Sequence, residues 1–442
     1  MKTERLLSPA VTTAVVWPPK RRTIFMLLPM TLAAVWFPWA VVAEAQVVDP
    51  ALPGPFTTGQ TTINIPVGLS GTLETEVFFP SDGNGGVEPA AGECPVVAFG
   101  HGFNRSISRY RDTVEHLASR GFVVLLGNHV CNILGGCDHS ANADEMIDLL
   151  DWIVARNADS GSVFFQRIAT DQLGTTGHSA GGLQALVAAA RDPRIVASAP
   201  MDPVDNDGLG VSELPTASAA ITVLLAEPSS CNSNGSASDL FTAANAPKTA
   251  IKVIGSSHCD PEDDNDFLGC ALFCGAWQEA RHAIYLASVT AWFEYHLHCN
   301  EEYRPWVSEA EVEAGVSAGQ ITYTADLAPA APLGVSASWH ESGAVISRQI
   351  PTRCVGVDFW RVYRSGSPGG PSVLVGDQIP ITDLEWIDDT VVPGSDVVYV
   401  VRDVAIDFLG EYEGESSIET SPSEIDEIIF SDDFEGGDLS AW

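Results

Sequence analysis

Lysine is nearly missing from this chain. Of 442 residues only Lys2, Lys20, Lys248 and Lys252 carry it. Lysine and arginine together number 22 against 58 aspartates and glutamates, a formal net charge of −36. A surface so short of positive charge repels nucleic acid and anionic membranes, so neither partner is expected. Long apolar runs are scarce too: beyond residue 45 no segment is apolar enough to span a bilayer. Hydrophobic residues still make up 45% of the chain, which excludes disorder as its dominant state.

The one long apolar run lies at the start. Ile24–Val42, broken by Pro29 and Pro38, follows the basic Lys20-Arg21-Arg22 and precedes Ala43-Glu44-Ala45. That order reads as an export signal over residues 1–45, with the mature chain beginning near Gln46. The stretch is long for a signal, so an uncleaved anchor is the alternative. A secreted protein, extracellular or periplasmic, is expected. In such a chain most of the 9 cysteines should pair, and the odd count leaves at least one over.

The length suggests two or three domains. Over residues 46–305 short β-rich runs (Val77–Phe79, Pro95–Phe99, Phe122–Leu126, Leu173–Thr176, Ile195–Ala199, Ile221–Leu225, Thr249–Ile254) alternate with helical spacings. The helical spacings cover Tyr110–Ser119, Ala143–Arg156, a stretch from Gly181 and Trp277–His296. Alternation of this kind predicts an α/β fold, a mainly parallel sheet with helices on both faces. Residues 306–332, ending in Ala328-Pro-Ala-Ala-Pro332, read as a linker. Residues 333–420 carry short strand patterns and Gly/Pro/Ser turns without a long helix, which predicts a small all-β sandwich. Residues 421–442 read as an acidic tail.

The chemistry-bearing motif is Gly177-His178-Ser179-Ala180-Gly181. A serine nucleophile needs a sharp strand-to-helix turn with small flanking residues. The helix that follows aims N–H groups at developing negative charge. Here a β-rich run precedes Ser179 and an alanine-rich helix follows. Acyl transfer also needs two N–H donors for the oxyanion. Ala180 supplies one and Phe103, in the strand-end segment His101-Gly102-Phe103, the other. His101 reads as a structural loop residue. His258, in Val253-Ile-Gly-Ser-Ser-His-Cys259, is the first histidine after the nucleophile and follows the last strand, as a general base should. Two acids compete to orient it. Asp202 ends the strand after the nucleophile helix, and Glu227 ends the next one. Asp202 is preferred, and Asp205 and Asp207 read as solvated.

With these residues in hand, the region 54–300 resembles the α/β-hydrolase superfamily. It is similar to plant chlorophyllases, platelet-activating-factor acetylhydrolases and bacterial cutinase-like polyester hydrolases. Gly54-Pro-Phe-Thr57, Val77-Phe-Phe-Pro80 and Gly255-Ser-Ser-His-Cys259 look like polyester-hydrolase segments, and His116–Val124 looks like a segment shared by all three groups. Trp360–Arg364 and Ser395–Ala405 resemble strands of a fibronectin type III module. The resemblance implies a serine carboxylic-ester hydrolase working through an acyl-enzyme, without a cofactor. Its acid position is chlorophyllase-like, since polyester hydrolases carry their aspartate after the later strand. Phe103 matches the oxyanion-loop aromatic of polyester hydrolases. Ala180 stands for their methionine and Val204 for a tryptophan that grips aromatic polymer, which points away from an aromatic polyester. By the same resemblance, Cys231 and Cys259 would bridge and tie down the histidine loop. Cys131–Cys137 would close a short loop beside the site, and Cys270, Cys274 and Cys299 would supply one further bridge.

Two metal readings compete with blander ones. His129, Cys131, Cys137 and His139 have zinc-like spacing, but a disulfide is preferred in an exported chain. Asp260–Asp266 could bind calcium, but a solvated acidic loop is preferred. No metal is expected. The stretch between Asp202 and Ile221 is too short for a large cap, and an open site suits a bulky or polymeric ester. The β-sandwich would offer a second surface for a polymer, and a non-catalytic binding protein on a hydrolase fold is the rival from another class.

Overall fold

The computed structural model describes residues 48–422 apart from 69–70, 265–269, 350–353 and 355. The expected export signal and nearly all of the acidic tail lie outside the described residues. Among the described residues no helix is long and apolar enough to cross a membrane.

Strands with apolar residues on both faces need cover on both faces. Such strands alternate with helices along the first three-quarters of the chain. In order these are β1 (Thr58–Val67), β2 (Gly71–Pro80), β3 (Cys94–Gly100), α1 (Arg111–Ser119), β4 (Val123–Gly127), a hairpin β5–β6 (Cys131–Asn132, Gly136–Cys137), α2 (His139–Asn157), β7 (Ile168–His178) and α3 (Ala180–Arg191). They continue with β8 (Ile195–Met201), α4 (Leu209–Glu213), β9 (Ala220–Leu225), α5 (Ala237–Ala243), β10 (Lys248–Val253), α6 (Cys270–Cys274) and α7 (Glu279–His296). The sheet order is β1-β2-β4-β3-β7-β8-β9-β10-β11, where β11 is Ile321–Asp326. From β4 to β10 neighbours run parallel, while β1, β2 and β11 are antiparallel additions at the edges. This is the expected α/β-hydrolase fold.

The period-2 alternation of each strand feeds two cores. Val96, Ala98, Val123 and Leu125 pack with Met146 and Leu150 of α2 and Leu183 and Leu186 of α3. Their neighbours Val97, Phe99, Val124 and Leu126 face the other way, against Val114 and Leu117 of α1 and Tyr285, Val289 and Trp292 of α7. Each such large side chain contributes about 1.5–3 kcal/mol by leaving water. The parallel strands therefore end together at one edge, where the loops that carry the site emerge.

The segment expected as a linker is folded. It holds α8 (Arg304–Val307), α9 (Ala310–Ser317) and β11, which pairs with β10 from Val253↔Ile321 to Lys248↔Asp326. The cause is apolar: Val307, Val312 and Ile321 are buried in the α7-side core, and β11 covers a sheet edge that would otherwise stay open. Only the proline-rich Leu327–Pro332 is irregular. Beyond it lie β12 (Ser336–His340), β13 (Gly343–Ser347), β14 (Phe359–Ser365), β15 (Val373–Pro380), β16 (Glu385–Asp388), β17 (Val398–Asp407) and β18 (Gly410–Glu413). They form two antiparallel sheets, β12-β13-β16 and β15-β14-β17-β18. Ile346, Trp360, Val362, Tyr399 and Val401 fill their core. The Arg304 guanidinium pairs with Asp358 at 2.7 Å, and Cys299 is bridged to Cys354, so this module is fastened to the α7–α8 corner.

Candidate active site

Ser179 sits between β7 and α3 with φ 56° and ψ −119°, left-handed backbone that a non-glycine residue adopts only under constraint. The constraint is close packing of backbone on backbone. A Cβ on Gly181 would lie 2.1 Å from the Gly100 carbonyl, and one on Gly177 2.5 Å from the Gly100 oxygen. The turn is also held by its own peptide groups. The Ser179 N–H donates to Met201 O at 3.1 Å, and its carbonyl accepts from Leu183 at 3.1 Å and Val204 at 3.2 Å. The helix it opens has no side-chain cap, so the Ala180 N–H, which has no intrahelical partner, remains available.

The preceding parallel strand supplies the facing loop, since Gly100 is in register with Gly177. In that loop the Gly102 N–H donates to the Tyr110 hydroxyl at 3.1 Å, Asn104 to Cys131 O at 2.7 Å, and Arg105 to Gly102 O at 3.1 Å. The Phe103 N–H is left uncommitted, while its ring is half-exposed. His101 is buried and bonds Gly102 O and His129 O, each at 2.9 Å.

His258, in the loop after β10, has its Nε2 2.9 Å from Ser179 Oγ. Its Nδ1 lies 2.6 Å from Asp202 Oδ2. Asp202 is fully buried at the end of β8 and itself left-handed, φ 42°. Its Oδ1 accepts from the Ala226 N–H at 3.1 Å, and the Asn232 carboxamide donates to Oδ2 at 3.0 Å. A carboxyl group so bonded turns one oxygen to the imidazole while the backbone and Asn232 engage its remaining lone pairs. Glu227 is turned elsewhere: one oxygen pairs with Lys252 Nζ at 2.7 Å and the other accepts from the Gly255 N–H at 2.9 Å. Both contacts hold its carboxyl below the usual range, the Lys252 bond most. Asp205 is not solvated. It is buried and accepts from the Gly208, Leu209 and Val211 N–H groups, which start α4.

Several residues that hold the site gave no sequence signal of their own. Asn232 is one. Its oxygen is fixed by the Ser229 and Gly235 N–H groups, leaving its amide to face Asp202. Tyr110 is another, fully buried with its hydroxyl 2.9 Å from His178 Nδ1. The same hydroxyl accepts from the Gly102 N–H, so it ties the facing loop to His178. Burial, the nearby His258 and Arg105 hold His178 well below the ordinary imidazole range, so it stays neutral beneath the His258 ring, 4.6 Å away. A third anchor is the two-bond pair of Arg105 with Glu262, whose Nε–Oε1 distance is 2.7 Å. Next to it, Asp263 accepts from the Asp112 and Thr113 N–H groups at the start of α1, and burial pushes its carboxyl up to about 7.

The disulfides differ in part from expectation. Cys131–Cys137 forms, closing the β5–β6 hairpin beside the facing loop. Cys231 and Cys259 do not pair with each other. Cys231 is bridged to Cys274 and Cys259 to Cys270, so α6 is the common anchor of the loop that carries Asn232 and the loop that carries His258. Cys94 is free and buried. The zinc arrangement is absent, because Cys131 and Cys137 spend their sulfurs on each other and His129 Nδ1 bonds Glu145 at 2.9 Å. In the acidic loop Asp260 accepts from the Ser257 and Gln278 N–H groups, and Glu262 and Asp263 are bound as above. Asn265 and Asp266 lie outside the described residues.

No curated protein matches the chain. The family described as PETase, PET hydrolase-like, matches residues 43–280, more than half of the sequence. The sheet, the loops at its carboxyl edge and this match lead to one conclusion: the chain belongs to the PET hydrolase-like family of α/β-hydrolases.

Proposed function

We propose that the protein is a secreted serine carboxylic-ester hydrolase. The reading rests on one observation above the rest, the hydrogen-bonded series Ser179–His258–Asp202 at 2.9 and 2.6 Å. In the proposed mechanism His258 Nε2 takes the Ser179 proton as Oγ attacks the ester carbonyl. The Asp202 carboxylate accepts from Nδ1–H and stabilises the imidazolium. The carbonyl oxygen, now an oxyanion, receives the Phe103 and Ala180 N–H groups. The imidazolium then returns its proton to the departing alkoxide, leaving an acyl-serine. Water, deprotonated by the same imidazole, releases the acid and restores Ser179.

Family membership favours a bulky or polymeric ester, polyesters included. The short segment between β8 and β9, which holds only α4 and a single turn of 3-10 helix, leaves no large cap over the site and suits that substrate class. A chlorophyllase- or acetylhydrolase-like preference is the second reading. It is favoured by the acid at Asp202 and by Val204 where polyester hydrolases carry tryptophan. A purely binding role would leave the buried, fully bonded Asp202–His258 pair without a purpose. The all-β module, similar to fibronectin type III, would then serve as a spacer or a second contact with the polymer.

Turnover of p-nitrophenyl esters tests the proposal. Wild type should be active and Ser179→Ala should fall by at least about 10⁴-fold. An inert wild type would support the binding role, and an unchanged Ser179→Ala would remove the nucleophile.

A further inference from the structure

Two exposed tips beside the site are apolar and free of charge, on a chain with 58 acidic residues. The first is the β5–β6 hairpin. Val130 to Cys137 contains no ionisable side chain besides its bridged cysteines. Ile133 is 73% exposed and Leu134 99%. Its shape is fixed: the Cys131–Cys137 bridge closes it, and Asn132 Oδ1 accepts from the Leu134 and Gly135 N–H groups at 3.0 and 2.8 Å. The hairpin leans on the Phe103 loop, through Asn104 N–H to Cys131 O.

The second tip is α6. Leu272 is 71% and Phe273 78% exposed, between the two cysteines that bridge to Cys259, next to His258, and to Cys231, next to Asn232. One tip therefore abuts the oxyanion side of Ser179 and the other the histidine side. Folding gains nothing from side chains held this far out in water, and apolar groups gathered on rigid tips mark a contact surface. Cross-linked tips also lose little conformational entropy when they bind.

We propose that Ile133, Leu134, Leu272 and Phe273 form an adsorption surface that seats the enzyme on an uncharged, water-insoluble polyester, with Ser179 between the two points of contact. The proposal rests on the ester-hydrolase reading and extends it from the reacting ester to the solid that carries it. The charge pattern selects this partner. An anionic bilayer or nucleic acid is repelled by the acidic surface, and a charged protein partner would find no complementary charge on the tips.

The test separates adsorption from catalysis. In the catalytically disabled Ser179→Ala background, adsorption isotherms are measured on film of the uncharged aliphatic polyester poly(ε-caprolactone) for the parent, Leu134→Asp and the double variant Leu272→Ser/Phe273→Ser. Each should lower the adsorption constant about tenfold, the effect of removing one or two apolar side chains from a dry contact. The same substitutions in the active enzyme should leave p-nitrophenyl acetate turnover within about twofold while film hydrolysis falls with adsorption. Leu134 is so exposed that its replacement leaves the core untouched, which keeps the test independent of folding. Unchanged isotherms for both variants overturn the proposal, whatever the soluble activity. Equal affinity of the parent for phosphatidylcholine vesicles overturns the choice of a polyester. An enzyme inert on p-nitrophenyl acetate that still adsorbs through these tips overturns the ester-hydrolase reading instead.

Discussion

The two sides of the site are held by different forces. On the Ser179 side, backbone does the holding. Gly100, Gly177 and Gly181 bring β3, β7 and α3 within van der Waals contact, and Ser179 is pinned through its own N–H and carbonyl. On the histidine side, side chains and cross-links do it. His258 rides on a loop fixed by Cys259–Cys270, by the Glu262 pair with Arg105 and by Asp263 at the start of α1. A backbone-held turn needs neighbouring residues of one type and is compact in sequence. A loop held by side chains draws partners from far away: Arg105 and Glu262 are 157 positions apart.

Breaking each kind of support should separate them. The largest effect is expected at Asp202, the acid proposed to orient His258. Asp202→Asn presents the wrong hydrogen-bonding group to Nδ1 and should lower kcat by about 10⁴-fold. Glu227→Gln should stay within about twofold of wild type; the reverse pattern would move the acid to Glu227. Next comes the backbone side. Gly181→Ala forces its methyl into the Gly100 carbonyl, so β3 and α3 must part by about 1 Å. That displacement should lower kcat at least about 10²-fold and depress the melting temperature. Near-normal activity would mean that close packing does not set the turn. The smallest effect is expected on the side-chain-held loop. Glu262→Gln keeps the shape but weakens the grip on Arg105, so kcat should fall about tenfold with KM for a small ester unchanged. A rise in KM alone would assign the pair to substrate contact rather than to positioning.

The same contrast explains what could be read before folding. Gly-His-Ser-Ala-Gly announced the turn because its physics is local, and the alternation of strands and helices announced the sheet. That the loops carrying His258 and Asp202 would reach the edge where Ser179 turns was legible by chain order, since parallel strands deliver successive loops to one edge. Asn232 was not, because an asparagine in a Ser/Asn/Gly-rich turn looks like any turn residue until Asp202 is beside it. The Cys131–Cys137 bridge was legible because it closes a local loop, while the partners of Cys231 and Cys259 were not, for the same reason as Asn232. Nothing in the spacing of Cys231, Cys259, Cys270 and Cys274 tells which loops α6 will touch. The helices and edge strand over residues 304–326 have only a weak pattern in the sequence, because their apolar residues are few. Yet Ile321 and Tyr323, two apart, face one core, as in any half-buried strand.

Ser179 is the proposed nucleophile. The most direct test is covalent capture: the protein is incubated with an organophosphonate that carries a leaving group and then analysed by intact mass and peptide mapping. The expected result is a single phosphonyl adduct on Ser179 in wild type, none in Ser179→Ala, and strongly slowed labelling in Asp202→Asn. An adduct on another residue, or equal labelling of Ser179→Ala, would contradict it.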